Sequence, residues 1–352
     1  MQTTYLNTAA SGLVPPEFTE AANRLYAELA VTASSRAEKW RDEEQPAIRQ
    51  NMADFLGVPV GNVALIPNFS WAMNGIVHSL TGDEKVLLYT GDYPSLLEPF
   101  RINRFNITWV GDTDGFAIDI EELKAKLLSE NIEVLAISHV QWMSGYKINL
   151  ADLGSFCKEH DIWFVVDATQ SMGAMPINPF ELNIDVFIAS NYKWMNAGFG
   201  TGLMYASDGF LEKYTPAVGG NNSYVIKDGK PQYTPGILSF EPGHPNMFGF
   251  TILNAAITNK MQIGLQAIEA HNKKLTQLLL DEIQGMNVQL VGELSTDNRA
   301  SIVFLKDRNG LGELLKSNGI IVTHRMGLIR ISMHYYTTEA DVMALVKLLK
   351  NA

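Results

Sequence analysis

The run Ile184-Asp-Val-Phe-Ile-Ala189 limits the possible folds more than any other stretch of this chain. Its apolar residues follow one another without alternation, which suits a strand covered on both faces, as in a parallel sheet. The run gives way to Ser190-Asn-Tyr-Lys193, crosses a turn carrying Gly198 and Gly200, and returns to an apolar strand at 202–205. A lysine just beyond a buried strand sits at the rim of the sheet, where open α/β proteins place their ligands. Partial desolvation there disfavours the ammonium form and makes the neutral amine available as a nucleophile. That is the chemistry of a lysine that forms a Schiff base.

A lone lysine after a strand is usually a solvated loop residue, so the neighbouring strands decide. Ile162-Trp-Phe-Val-Val-Asp167 is a second buried run, and it ends on a carboxylate. Lys193 follows Asp167 at about the distance of a crossover plus another strand. Further short apolar runs at 62–66, 85–90, 107–110 and 133–138 mix with helical stretches at 120–128 and 153–160, the pattern of an α/β domain. Helical segments at 17–49 and 47–56 precede them, the second stopped by Gly57. A long helical stretch at 247–271 follows them. Strands at 288–291, 300–305, 320–323 and 328–333, with helices at 309–317 and 338–350, then read as a separate α+β layer.

Two places invite a ligand. The run at 62–66 passes through Pro67-Asn-Phe-Ser70-Trp71 into a helix, with Ser70 read as its N-cap. Free amides and the helix dipole make such a start an anion site, a plain structural cap being the alternative. On the final strand, Arg330 points into an apolar setting and needs an anion, which its planar fork would take as a carboxylate. A protein carboxylate could serve as well as a substrate.

Composition excludes several classes of function. The chain has 352 residues, 46% hydrophobic and 18% charged, which suits a large globular core rather than disorder. A formal charge of −11 without an extended basic cluster argues against nucleic acid as a partner. The single cysteine, Cys157, excludes an internal disulfide and a CxxC metal site, and His244 has no second histidine at ligand spacing. No metal is expected. No run approaches a membrane span and no secretory leader is visible, so a cytoplasmic protein without a membrane partner is expected.

The Lys193 and Asp167 tracts together resemble the core of the fold-type-I enzymes that depend on pyridoxal 5'-phosphate (PLP). More narrowly, they resemble the class-V aminotransferase group, which includes cysteine desulfurases, kynureninases and isopenicillin-N-epimerase-like proteins. Tyr192-Lys-Trp-Met-Asn-Ala-Gly198 is similar to the kynureninase version of the lysine motif. The resemblance runs over nearly the whole chain. It implies an α/β fold with a seven-stranded, mostly parallel sheet in a large domain, residues 18–250. Residues 1–17 and 251–352 would form a small α+β domain, and the cofactor would lie between the two.

The resemblance also implies roles. Lys193 would carry PLP as a Schiff base and move protons at the substrate α-carbon. Asp167 would partner the pyridine nitrogen and keep the ring an electron sink. Ser70, with Trp71 in place of the usual small neighbour, would hold the phosphate, helped by Ser190 and Tyr192. Tyr93 would stack on one face of the ring and Ala168 would pack on the other. Gln170 would bond the phenolic oxygen, and Trp142 or Gln141 would stand in for another polar contact there. The small-residue segment 5–12 would lie near the substrate pocket. His244 takes the place of a threonine that reaches the other subunit's phosphate, so a homodimer is expected. Arg330, in an Arg-x-Ser pattern, would clamp the α-carboxylate of an amino-acid substrate. His139 has no partner at catalytic spacing and reads as structural.

Transamination is the expected reaction, because it needs only these parts. A lyase or epimerase of the kynureninase or epimerase-like type is the alternative. A desulfurase is disfavoured, because 322–330 contains neither a cysteine nor room for a cysteine loop, and Cys157 lies elsewhere. A cofactor-free Schiff-base lyase would leave Asp167, Ser70 and Tyr93 without a common purpose. A non-catalytic binding module is the remote case.

Overall fold

The computed structural model describes residues 3–350 except 294, 309 and 326. After β1 (Thr4–Tyr5), the central sheet takes β2 (Val63–Ile66), β3 (Lys85–Tyr89), β4 (Asn106–Val110) and β5 (Val134–Ser138). It is completed by β6 (Trp163–Asp167), β7 (Val186–Ser190) and β8 (Gly202–Ala206). The order is β2-β8-β7-β6-β5-β3-β4, and β8 alone runs against the rest. The expected seven-stranded, mostly parallel sheet therefore forms. Ser138 pairs with Asp167, and Asp167 with Ile188, so the carboxyl ends of β5, β6 and β7 lie side by side.

Alternate strand residues feed two cores, as the two-residue period of a pleated strand requires. Leu87, Leu135, Val166 and Phe187 face one way, and Leu88, Ala136, Val165 and Ile188 the other. Both faces need helical cover, which is why these runs do not alternate with polar residues. Helices α1 (Pro16–Lys39) and α2 (Gln45–Leu56) pack on the first face through Phe18, Leu25, Ile48 and Met52. On the second face lie α3 (Phe69–Ser79) and α4 (Pro94–Ile102), with Ala72, Met73, Ile76 and Phe100 turned inward. The first face also takes α5 (Ile120–Ser129) and α6 (Leu150–Glu159), and α7 (Asp208–Lys213) gives Phe210 to the second. Helix α8 (Met247–Ile263) joins the first core through Phe250, Leu253 and Ala256.

A third core lies apart. It is built from α9 (Leu265–Ile283), β11 (Ile302–Lys306), α10 (Leu311–Ser317), β14 (Leu328–Ser332) and α11 (Glu339–Leu349), with Leu6 of the amino-terminal segment. Strand β12 (Ile320–Ile321) pairs with β1, while β13 (Thr323–Arg325) pairs with β14. The expected strand at 320–323 is thus split between two sheets. The expected helix at 247–271 is broken at Gly264, whose φ of +87° suits glycine and ends α8. Residues 288–291 give a single bridge, Leu290 to Leu305, rather than a strand. Gly285 and Gly292, both at positive φ, turn the chain on either side. Position 309, the expected start of α10, lies outside the described residues.

A hairpin, β9 (Tyr224–Lys227) and β10 (Lys230–Tyr233), projects where no strand was expected. Its residues are almost all exposed, so no buried apolar face marks it in the sequence. Among the described residues, no helix is long and apolar enough to cross a membrane. No group of three acidic, histidine or cysteine side chains is placed to hold a metal there either.

Candidate active site

Lys193 and Asp167 meet at the carboxyl edge of the sheet, on one cavity of ≈ 330 Å³. Asn68, Phe69, Ser70, Tyr93, Trp142, Gln170, Ser190 and Tyr192 line the same cavity. Its size falls in the range of small-ligand pockets, roughly 300–1,000 Å³. Lys193 is 6% exposed and Asp167 5%, yet neither forms an ion pair among the described residues. Burial pushes the Lys193 amine well below the usual lysine range; Asp167 opposes the shift and Arg330 adds to it. Burial likewise raises the Asp167 carboxyl, against the hydrogen bonds from Thr169, and the Asp92 charge raises it further. Two titratable groups pushed toward each other across an enclosed space mark a functional site.

The backbone fixes both groups. The Thr169 amide donates to Asp167 Oδ1 at 2.8 Å, which sets the carboxylate at the end of β6. Gly12 passes so close to the lysine turn that an added Cβ would stand 2.0 Å from the Lys193 carbonyl oxygen. The Gly12 amide donates to the Tyr192 carbonyl at 2.8 Å. The small residues of the amino-terminal segment are therefore needed to seat the chain against the lysine turn.

The start of α3 faces the same cavity, but its cap differs from expectation. Asn68, in an extended conformation, caps the helix by accepting from the Trp71 amide at 2.9 Å. Ser70 lies in the first turn instead, with its hydroxyl on Ser95 at 2.8 Å. The Phe69 amide donates to Ser190 Oγ at 2.9 Å. The Ser70 amide makes no hydrogen bond among the described residues, so one donor of the helix start remains open to an anion. Trp71 turns away and lines a second cavity of ≈ 470 Å³ together with His244. His244 is exposed there, apart from Lys193. Its tract is anchored by Glu241, which pairs with Arg49 on both oxygens and accepts from the Leu65 amide at 2.7 Å.

Aromatic rings form the upper wall. Tyr93 meets Trp142 edge to face at 5.5 Å, and Lys193 Nζ lies 5.6 Å from the ring centroids of both Tyr93 and Tyr192. Tyr192 is itself stacked on Phe199 at 4.8 Å. Ala168 is fully buried immediately after Asp167. Gln170 lines the cavity, although its amide is committed: it donates to the Ala9 carbonyl at 3.0 Å and accepts from Trp194 Nε1 at 2.8 Å.

Arg330 stands behind Trp142. It donates from Nη1 to the Trp142 carbonyl at 2.7 Å and from Nη2 to Thr323 at 3.3 Å. Its Nε is buried without a partner, and no carboxylate pairs with it among the described residues. Burial lowers the guanidinium to about 10. A buried arginine without an acid calls for an anionic ligand.

Asp92 was not singled out from the sequence. It accepts from the Ser138 amide at 2.8 Å and from the Tyr93 amide at 2.7 Å, and so orients the turn that carries Tyr93. A carboxylate soon after an apolar run, as in Gly91-Asp-Tyr93, was the available signal. His139 is buried and its imidazole is lowered to about 3 by burial, its Nδ1 has no partner among the described residues, and it does not line the cavity.

These residues fit PLP. A buried lysine with a lowered amine, a buried carboxylate, an open amide at a helix start and a flanking ring match its carbonyl, ring nitrogen, phosphate and ring face. The model of the family described as aminotransferase class-V matches residues 4–345. The probable cysteine desulfurase of Pyrococcus abyssi is 24% identical over 311 residues, covering 85% of this chain and 77% of that protein. An uncharacterized aminotransferase of Bacillus subtilis, YcbU, is 22% identical over 313 residues, covering 86% and 83%. The apo structure of a cysteine desulfurase from Thermococcus onnurineus superposes with a TM-score of 0.88 at 22% identity, covering 99% of this chain and 94% of the other. The cystine C–S lyase C-DES, in complex with its product cysteine persulfide, gives 0.87 at 20% identity, covering 99% and 98%.

Proposed function

The chain belongs to the aminotransferase class-V family, whose members are PLP-dependent, and on that premise we propose that it is an aminotransferase acting on an α-amino acid. The observation that carries this reading is the pair Lys193 and Asp167 on one cavity, with Arg330 bonded to the carbonyl of the cavity-lining Trp142 and none of the three in an ion pair among the described residues. When bound, PLP supplies an electron sink that acidifies the substrate α-carbon.

In this reading the chain's own residues bind, orient and move protons. The neutral Lys193 amine would hold the cofactor through its carbonyl carbon, with loss of water, and as a free amine would take and return the proton at the substrate α-carbon. The Asp167 carboxylate holds the proton on the ring nitrogen. The Ser70 amide at the start of α3, with Ser190 at the end of β7, would take the phosphate. Tyr93 fixes the ring plane, and the Tyr93–Trp142 wall excludes water from it. Arg330 orients the α-carboxylate by charge-assisted hydrogen bonds.

A second reading, a lyase that breaks a carbon–sulfur bond, is favoured by the names of the relatives. A route through a protein thiol meets an obstacle. Cys157 lines a separate cavity beside Ile162, Asp185 and Ser207, at the amino ends of β6 and β7. Lys193 follows the carboxyl end of β7, so the two are separated by the strand length, on the order of 15 Å. Burial also pushes the thiol up to about 12.

Product analysis separates the two readings. An aminotransferase incubated with amino acid alone releases about one equivalent of keto acid per subunit. It then stops until a second keto acid is added. Continued release of sulfide and ammonia from cysteine or cystine, without a keto-acid acceptor, would replace the first reading with the second.

Asp167→Asn is expected to retain bound PLP, because the phosphate and stacking contacts remain. Its exchange of the substrate α-proton should fall by roughly ten- to a hundredfold, the size of one charge-assisted hydrogen bond. Unchanged exchange would remove Asp167 from the nitrogen. We also propose a homodimer, with the exposed His244 tract completing the partner's phosphate site. Sedimentation at assay concentrations should give twice the mass of the chain, and His244→Ala should weaken PLP retention. A fully active monomer would rule the dimer out.

A further inference from the structure

Lys260 on α8 is a buried lysine that the proposed reaction does not use. Its side chain has no exposure, and among the described residues no carboxylate lies in ion-pair reach. Its Nζ donates to Asn196 Oδ1 at 3.0 Å and lies 3.2 Å from His334 Nε2. His334, just after β14, is also fully buried, and its Nε2 meets the Trp194 carbonyl at 2.9 Å and Asn196 Oδ1 at 3.1 Å. All these contacts converge on the turn that begins at Lys193.

The chemistry of the partners sets the protonation. The Trp194 carbonyl can only accept, so His334 Nε2 carries the ring hydrogen. Asn272 Nδ2, on α9, approaches Nδ1 at 3.3 Å, which leaves Nδ1 as the acceptor and the ring neutral. The His334 N–H also faces Lys260, and an ammonium there would have no lone pair to offer it. The Tyr335 ring, 4.5 Å from Lys260 Nζ, favours the ammonium form. Complete burial without a carboxylate outweighs that ring. Burial lowers both Lys260 and His334 well below their usual ranges; on His334, Lys260 and then His271 add to the shift and the Trp194 carbonyl opposes it. Lys260 therefore sits as an uncharged donor.

Asn196 is where this network meets the lysine turn. It is a non-glycine residue with φ of +61°, in the left-handed region, and its amide donates to the Lys193 carbonyl at 3.1 Å. Such a conformation persists only where the surroundings hold it. Its side chain supplies the hold, accepting from Lys260 and donating from Nδ2 to the Leu13 carbonyl at 2.8 Å. Two successive carbonyls of the turn, at Lys193 and Trp194, are thus tied through Asn196 and His334 to α8 and to the chain after β14.

We propose that Lys260, held as a neutral amine, is a positioning residue for Lys193, acting through Asn196 and His334 to keep the Lys193 amine in its dry orientation. The inference rests on Lys193 as the reactive amine, but its test reads that amine directly and does not require the transamination reading to hold.

The full-length chain, freed of cofactor, is treated with formaldehyde and borohydride over a pH series. Peptide mass mapping then gives the midpoint at which Lys193 becomes reactive. The groups facing that amine are Asp167, Arg330, Tyr93 and Tyr192. In the wild type the midpoint should lie well below that of an exposed lysine, near ~10.4. Lys260→Met should raise it by about one pH unit, a tenfold loss of neutral amine at pH values well below the midpoint. Lys260→Arg, which forces a charge beside the His334 N–H, should raise it at least as far. An arginine variant that behaves as wild type would overturn the neutral-donor role. An unchanged midpoint in both variants would overturn the positioning role altogether. Leu345→Ala, in the separate core, controls for lost stability and should lower the unfolding temperature without moving the midpoint. Should the Lys260 variants fail to fold, the His334 variants decide. His334→Gln keeps a donor for the Trp194 carbonyl and should hold the midpoint, while His334→Leu should shift it. Equal behaviour of these two would overturn the proposal.

Discussion

Lys193→Ala is expected to lower turnover by at least about 10³-fold, the largest effect of any single substitution in this chain. Two losses combine. The variant cannot attach the cofactor carbonyl, and it has no base in place for the α-proton; general acid–base catalysis alone contributes typically 10²–10⁴-fold. The fold should survive, because the chain around position 193 is held by backbone bonds and by Asn196 rather than by the lysine side chain. Two measurements check this. Borohydride reduction of the wild type in the presence of PLP, followed by mass mapping, should place the pyridoxyl group on Lys193. Exchange of the amino-acid α-hydrogen with deuterated water should vanish in the alanine variant while its thermal unfolding stays close to wild type. The attachment also has a pH sign. Lys193 in the folded chain is lowered to about 7, so its reactive neutral form grows as pH rises through that value. An exposed lysine would become reactive only near ~10.4. A label on another lysine, or attachment that begins only in the ordinary lysine range, would sink the assignment.

What could be read from the sequence follows from how each feature is written there. Asp167 and Lys193 were legible because each follows an apolar run too continuous to be anything but a covered strand, and the register of β5, β6 and β7 then brings their ends together. Spacing alone could not say which amide or hydroxyl caps a helix. Ser70 and Asn68 are both good caps by residue type, and Asn68 wins because its extended backbone aims Oδ1 at the Trp71 amide. Trp71 turns away from the cavity that Ser70 lines, into one it shares with His244, because a helix turns successive side chains by about 100°. The β9–β10 hairpin is written in exposed residues, where tertiary burial leaves no period. Asp92, Lys260 and His334 were not legible as a site. Each acquires its surroundings only through contacts between segments far apart in the chain, such as Lys260 with Asn196 and His334.

Arg330→Ala is expected to weaken the specificity constant for every amino-acid substrate alike. The guanidinium is 5% exposed, gives two of its nitrogens to Trp142 and Thr323, and leaves Nε buried without an acceptor. Arg325, exposed on the neighbouring strand, lies 5.7 Å from the Trp142 ring and lowers the Arg330 proton affinity further. Two cations at one wall, with no protein carboxylate paired to either among the described residues, create a field that a substrate carboxylate would relieve. Removing one partner of a buried charged contact costs about 2–5 kcal/mol, or roughly thirty- to several-thousandfold in kcat/KM. The loss should be uniform across side chains, because every amino acid brings the same α-carboxylate. PLP content should stay near wild type, since the phosphate and ring contacts come from α3, Tyr93 and Asp167. The decisive measurement is a titration of both proteins with a panel of amino acids, following the visible band of the bound cofactor. The corresponding amines, which lack the carboxylate, serve as the internal control: they should bind the two proteins equally. Amino acids that bind the variant as tightly as wild type would make Arg330 a structural tie between β14 and the Trp142 carbonyl. A loss confined to acidic amino acids would move Arg330 from the α-carboxylate to the side chain.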